Sequence, residues 1–131
     1  MVTVYVFSMS SDSNKTLMKD FKVKEFACKD GSDAVFIAYQ LLVILQKVRD
    51  HFGKPVVINS AYRTPSHNKK VGGATTSQHL YGTAADIVVK GVDPDEVADY
   101  VETLMPRKGG IGRYATFTHV DVRQNRSRWK G

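Results

Sequence analysis

The sequence predicts an α+β fold in which helices pack against an antiparallel sheet. The predicted segments follow the order helix, strand, strand, helix, strand, strand, which is typical of this fold class. Hydrophobic residues make up 42% of the 131 residues, enough to form a substantial core. A chain of this length fits one domain, so we expect residues 1–131 to form a single unit.

A long apolar segment predicts the main core helix over residues 32–53. Val35, Leu42 and other apolar residues recur there at helical spacing, and the apolar stripe is wide enough for a largely buried helix. Ser32 or Asp33 can cap its N-terminus, and Gly53 can end it.

Shorter patterns predict the remaining elements. Residues 1–7 alternate like a strand, a β-branched run predicts a strand over Val56–Asn59, and TAADIVV predicts the next strand. Asp93 as the N-cap, Pro94 at the first helical position and Glu96 in a capping box predict the second helix. GGIGRY and FTHVDVR then predict a glycine-started hairpin of two strands.

The chain is basic, with a net charge of +6, which favours an anionic partner such as nucleic acid, a membrane surface or a wall polymer. The basic residues are scattered and no nucleic-acid-binding motif is present, so we expect no nucleic acid partner. No stretch is long enough to span a bilayer, and the N-terminus does not resemble a signal peptide. Cys28 is the only cysteine, which fits synthesis in the reducing cytoplasm. We expect a monomer.

Two histidines and an aspartate form a possible metal site. Alternation along FTHVDVR places His119 and Asp121 on one strand face and the valines on the other. Asp86 lies inside the preceding predicted strand, and His79 comes just before it. Two imidazoles and a carboxylate with an open fourth position are the pattern of a catalytic zinc site. Surface or capping roles for the same residues stay open at this point, because the spacing alone is not specific.

Three segments in order, SAYRTPSHNKKVGG, SQHLYGTAADI and THVDVR, resemble the M15 family of zinc peptidases. This family includes D-Ala-D-Ala carboxypeptidases and related phage and bacterial cell-wall endopeptidases. The resemblance covers about residues 20–123. The family pattern S-x-H-x-x-G-x-A-x-D is met by Ser77, His79, Gly82, Ala84 and Asp86.

The resemblance implies a cofactor, a substrate class and roles for individual residues. Zn2+ would be held by His79, Asp86 and His119, and Arg63 would bind the substrate carboxylate as part of the catalytic machinery. The substrates would be stem or cross-bridge peptides of peptidoglycan. The protein would then act at the cell wall after release from the cytoplasm.

One departure from the family pattern concerns the general base. Many relatives carry Glu or Asp three residues before the last zinc histidine, where this chain has Thr116. Asp121 is therefore the candidate base, or alternatively a structural acceptor that orients a ligand histidine. Ser77 is a candidate substrate contact, with turn capping as the alternative. The predicted function is a zinc-dependent peptidoglycan peptidase; the alternative is a catalytically weak or inactive wall-binding domain that keeps the metal site.

Overall fold

The computed structural model describes residues 2–131 and shows an α+β architecture. The helices are α1 (Met9–Asp12), α2 (Tyr39–Phe52), α3 (Pro65–Lys70) and α4 (Pro94–Leu104). The strands are β1 (Val4–Ser8), β2 (Thr16–Leu17), β3 (Phe21–Lys22), β4 (Ala34–Ala38), β5 (Val56–Ser60), β6 (Ala84–Val89), β7 (Gly110–Arg113), β8 (Thr118–Asp121) and β9 (Ser127–Lys130). Short 3₁₀ turns cover Val23–Phe26 and Gln78–Tyr81.

A five-stranded sheet forms the centre of the fold, in the order β5-β6-β8-β7-β9. Its strand pairs are antiparallel except for β7 and β9, which run parallel. Helices α2 and α4 pack against it, and residues such as Leu45, Val101, Ile87 and Val120 form the shared core. The predicted fold class is confirmed.

The prediction of a core helix over residues 32–53 is wrong for its first part. Residues 34–38 form β4, which pairs antiparallel with β1, and α2 begins only at Tyr39. Val35 and Ile37 are fully buried while the residue between them is not, so burial there follows the two-residue period of a strand. Asp33 does not cap α2; its carboxylate accepts hydrogen bonds from the Ser8 hydroxyl and the Ser10 backbone N–H.

The other predicted elements agree more closely with the structure. α2 ends at Gly53, whose φ of 62° is left-handed, and α4 begins with Pro94 after Asp93, whose side chain caps the backbone N–H of Asp95. Among the described hydrogen bonds, Glu96 does not complete a capping box. The polar segment after β5 contains α3, an element that the sequence pattern did not predict. Within residues 2–131, no helix combines the length and the apolar character needed to cross a membrane.

Candidate metal centre

One row of residues crosses all five strands of the central sheet. The pairing register aligns Ser60, Asp86, His119, Gly112 and Trp129 from β5 to β9. Directly paired residues project from the same sheet face, so this row forms one surface. The neighbouring Val120 points into the core, which confirms the predicted division of the two strand faces.

His79 reaches this surface from the 3₁₀ turn that precedes β6. The Ser77 hydroxyl accepts a hydrogen bond from the His79 backbone N–H and so caps the turn. Gly82 ends the turn with a φ of 73°, and a side chain there would collide with the backbone of Phe36. The turn can therefore close against β4 only because residue 82 is glycine.

His79, Asp86 and His119 converge as the sequence predicted, with one potential ligand atom of each within 4.8 Å of the others. The Asp86 Oδ1 atom lies 3.0 Å from Nδ1 of His119 and 3.3 Å from Nε2 of His79. All three residues are buried. A buried set of two imidazoles and a carboxylate is a donor set that suits zinc.

The other ring nitrogen of each histidine is held by an acceptor. Nδ1 of His79 lies 2.7 Å from the carbonyl oxygen of Ala61, which only accepts, so this nitrogen carries the proton. Nε2 of His119 lies 2.8 Å from Oδ2 of Asp121. Histidines that bind metals almost always donate their second N–H to a carbonyl or carboxylate in this way. His79 Nε2 and His119 Nδ1 both face Asp86, and with the outer nitrogens protonated their lone pairs would be available to a metal ion at this point, so the residues present fit a metal ion.

The carboxylates and imidazoles of the cluster shift one another's pKa values. Burial alone would raise the pKa of Asp86, but hydrogen bonds from His119 and His79 outweigh it and hold the pKa well below its usual range. Burial would lower the pKa of His119, but the carboxylates of Asp121 and Asp86 raise it above its ordinary value. The ionised Asp86 can balance either a proton on an imidazole or a bound metal ion.

Asp121 is fully buried and its carboxylate is saturated with donors. Oδ1 accepts hydrogen bonds from the Gly110 backbone N–H and from the backbone N–H and Nε of Arg123. Oδ2 accepts from Nη2 of Arg123 and faces His119. Burial would raise the pKa of Asp121, but the bonds from His119 and Arg123 hold it well below its usual range. These contacts favour the orienting role over the general base, and Thr116 is exposed in the turn between β7 and β8.

Arg63 lies beside the cluster with most of its guanidinium already fixed. Nε donates to the Ser60 hydroxyl at 3.1 Å, and Nη1 donates to Oδ1 of Asn68 at 3.2 Å. Nη2 lies 3.6 Å from Oδ2 of Asp86 and makes no hydrogen bond to any residue from 2 to 131. The Nη2 edge of the guanidinium therefore forms only an ion pair, with the Asp86 carboxylate, within residues 2–131.

Sequence reasoning missed three contributors to this site. Asn68 is buried on α3, where it bonds to Arg63 and to the carbonyl of Ala74. Arg123 fixes Asp121 through two guanidinium hydrogen bonds. Trp129 reaches the site from β9, and only the tertiary arrangement brings it there. Arg63 precedes α3 while Asn68 lies on it, so helical spacing gave no signal for their contact.

The fold and site together define an α+β domain in which His79, Asp86 and His119 could hold a metal ion beside one face of the central sheet. The family model described as Peptidase M15 matches residues 16–121, most of the chain, and the protein belongs to this family. A curated relative, the zinc D-Ala-D-Ala carboxypeptidase of Streptomyces albus G, is 46% identical over 44 residues. This match covers 33% of the chain and only 17% of that relative.

Proposed function

We propose that this protein is a zinc-dependent peptidase that hydrolyses peptide bonds in the stem or cross-bridge peptides of peptidoglycan. The observation that carries the proposal is the buried convergence of His79, Asp86 and His119, with the outer nitrogen of each histidine held by an acceptor. Membership of the M15 peptidase family and the partial match to a zinc carboxypeptidase support the same chemistry. The proposed place of action is the bacterial cell wall.

The residues of the site have separable tasks in this proposal. Nε2 of His79, Nδ1 of His119 and the Asp86 carboxylate would hold the ion. Bound Zn2+ supplies Lewis acidity, which polarises a peptide carbonyl and makes water acidic enough to react near neutral pH. The Nη2 edge of Arg63, which makes no hydrogen bond within residues 2–131, would bind a carboxylate of the substrate, since a guanidinium matches a carboxylate in geometry and charge. The net charge of +6 favours approach of such anionic peptides.

Neither of the two positions considered for the general base, Asp121 and Thr116, is well placed to accept a proton. Asp121 is engaged by Arg123, Gly110 and His119, and Thr116 has no titratable group. This observation favours a second candidate, a wall-binding domain that keeps the metal site but turns over slowly or not at all. Both candidates share the metal site and the anionic partner, so they differ only in hydrolysis.

Digestion of purified peptidoglycan, with mass spectrometry of the released fragments, tests the proposal. We expect zinc-loaded protein to release peptides or D-alanine, and we expect EDTA or His79→Ala to abolish the release. The fragment masses identify the bond that is cut. Sedimentation with insoluble peptidoglycan, without any released fragments, would refute the peptidase and leave the wall-binding candidate. Neither binding nor release would refute both.

A further inference from the structure

Strand β9 brings a residue to the candidate metal centre from outside the segment that defines the family. The family match ends at residue 121, whereas β9 covers Ser127–Lys130 and pairs with β7. Trp129 on β9 is aligned with Gly112 on β7, and Gly112 is aligned with His119 on β8. The Trp129 side chain can therefore cross β7 only where β7 has no side chain.

The close approach over Gly112 is visible in the packing. A Cβ atom at residue 112 would lie 2.6 Å from Cε2 and Nε1 of the indole, closer than side chains pack. The indole crosses this gap and meets the imidazole of His119, with ring centroids 4.9 Å apart and planes inclined by 52°. Gly112 thus makes space for a contact between β9 and a proposed ligand.

Two further contacts fix the indole and connect it to His119 by a second route. Its Nε1 donates to the Tyr114 hydroxyl at 2.9 Å, and the Arg123 guanidinium lies 5.3 Å from the ring centroid. The same guanidinium binds the Asp121 carboxylate, which faces Nε2 of His119. Trp129 therefore acts on His119 directly through ring packing and indirectly through Arg123 and Asp121.

We infer that Trp129 is a positioning residue of the metal centre, which restricts the His119 imidazole to the orientation that directs Nδ1 toward Asp86. The inference rests on the proposed function only in taking His119 as a metal ligand. An imidazole that is hydrogen-bonded to Asp121 through Nε2 and packed against a tilted indole has little freedom to rotate. Removing the indole keeps all three ligand residues in the chain but lets the side chains of His119 and Arg123 adopt other orientations. Metal affinity is therefore reduced.

Calorimetric titration of the metal-free full chain with zinc chloride tests the inference. We expect Trp129→Ala and Gly112→Ala each to weaken zinc binding by about 10-fold, the lower end of the range for residues that orient ligands. Trp129→Phe retains an aromatic ring over Gly112 and should restore most of the affinity. Because Trp129→Ala could also loosen β9, Gly112→Ala provides an independent perturbation that leaves Trp129 itself unchanged.

The double variant Gly112→Ala/Trp129→Ala separates positioning from a general effect on β7. A Cβ at residue 112 has no indole to meet in this background, so Gly112→Ala should cost no further affinity there. An equal loss from Gly112→Ala in both backgrounds would overturn the inference. Wild-type affinity in both single variants would also overturn it and would assign Trp129 to the anchoring of β9 alone.

Two controls distinguish this inference from the proposed metal site. If His79→Ala binds zinc as tightly as the wild type, or the wild type binds none, the metal site itself is refuted. Histidine ring NMR of the metal-free protein then tests the contact alone: Trp129→Ala should shift the ring-proton resonances of His119 and leave those of His51, which stacks on Tyr100, unchanged. Unchanged His119 resonances would refute the contact.

Discussion

Asp121→Asn tests whether Asp121 orients His119 or removes a proton during catalysis. The substitution keeps the shape of the side chain, so the new amide can still accept at its Oδ1 atom from Gly110 and Arg123. At the other position an amide N–H₂ replaces Oδ2 and meets two donors, Nη2 of Arg123 and Nε2 of His119. The variant therefore loses one ion pair and leaves His119 without its acceptor.

The size of the stability loss follows from the burial of the two partners. Breaking a buried ion pair by neutralising one member costs ~3–5 kcal/mol. The Asp121 side chain is 0% exposed but that of Arg123 is 31% exposed, so Arg123 can partly turn toward water. We expect a loss of about 3 kcal/mol in the free energy of unfolding, or a decrease of about 10 °C in Tm for a domain of this size.

Zinc affinity and turnover then separate the two roles. If Asp121 orients His119, zinc binding should weaken by about 10–100-fold while kcat at saturating zinc changes little. If Asp121 is the general base, zinc affinity should hold and kcat should fall by about 10²–10⁴-fold. Calorimetry and peptidoglycan digestion at saturating zinc measure the two quantities. Zinc affinity retained together with turnover lost would refute the orienting role. The matched control is Asp99→Asn, which removes an exposed carboxylate from a surface ion pair with Arg113.

Three further predictions concern the rest of the molecule. Arg63→Lys should keep zinc affinity and Tm near wild type but raise KM for a stem peptide, because lysine cannot bind a carboxylate in the same bidentate way; an unchanged KM would remove Arg63 from substrate binding. Hydrogen bonds from the side chains of Thr64 and Ser32 hold the pKa of Asp30 below its ordinary value of 3.8. The ionised Asp30 therefore stabilises the folded state fully above pH 3.8, and this stabilisation is lost as the pH falls through the lowered pKa. The difference in Tm between wild type and Asp30→Asn should therefore shrink under acid conditions, and a constant difference would contradict this linkage. Gly82→Ala should destabilise the protein by at least about 1–2 kcal/mol in urea unfolding, because the left-handed backbone and the nearby Phe36 both resist a Cβ, and wild-type stability would show that the turn can move.

Several features of the site could be predicted because they depend on short segments. Alternation along β8 predicted that His119 and Val120 lie on opposite faces of the sheet. Gly53 and Asp93 predicted the end of α2 and the start of α4 through local backbone chemistry. Residue types and spacing suggested His79, Asp86 and His119 as a possible set, and the family resemblance made that choice specific. The strand alternation and the two helix ends are each decided within a few residues, where sequence spacing corresponds directly to geometry.

The tertiary structure decided what depends on pairing between distant segments. Residues 34–38 have enough apolar character for a helix, but backbone hydrogen bonds with β1 make them a strand, and no local pattern contains that partner. The environment of Asp121 depends likewise on Gly110 and Arg123, and the position of Trp129 depends on the parallel pairing of β9 with β7. The sequence alone determined the fold class and which side chains could bind a metal. Only the packed sheet decided which of them face one another, because the strands that carry them are joined by long-range hydrogen bonds.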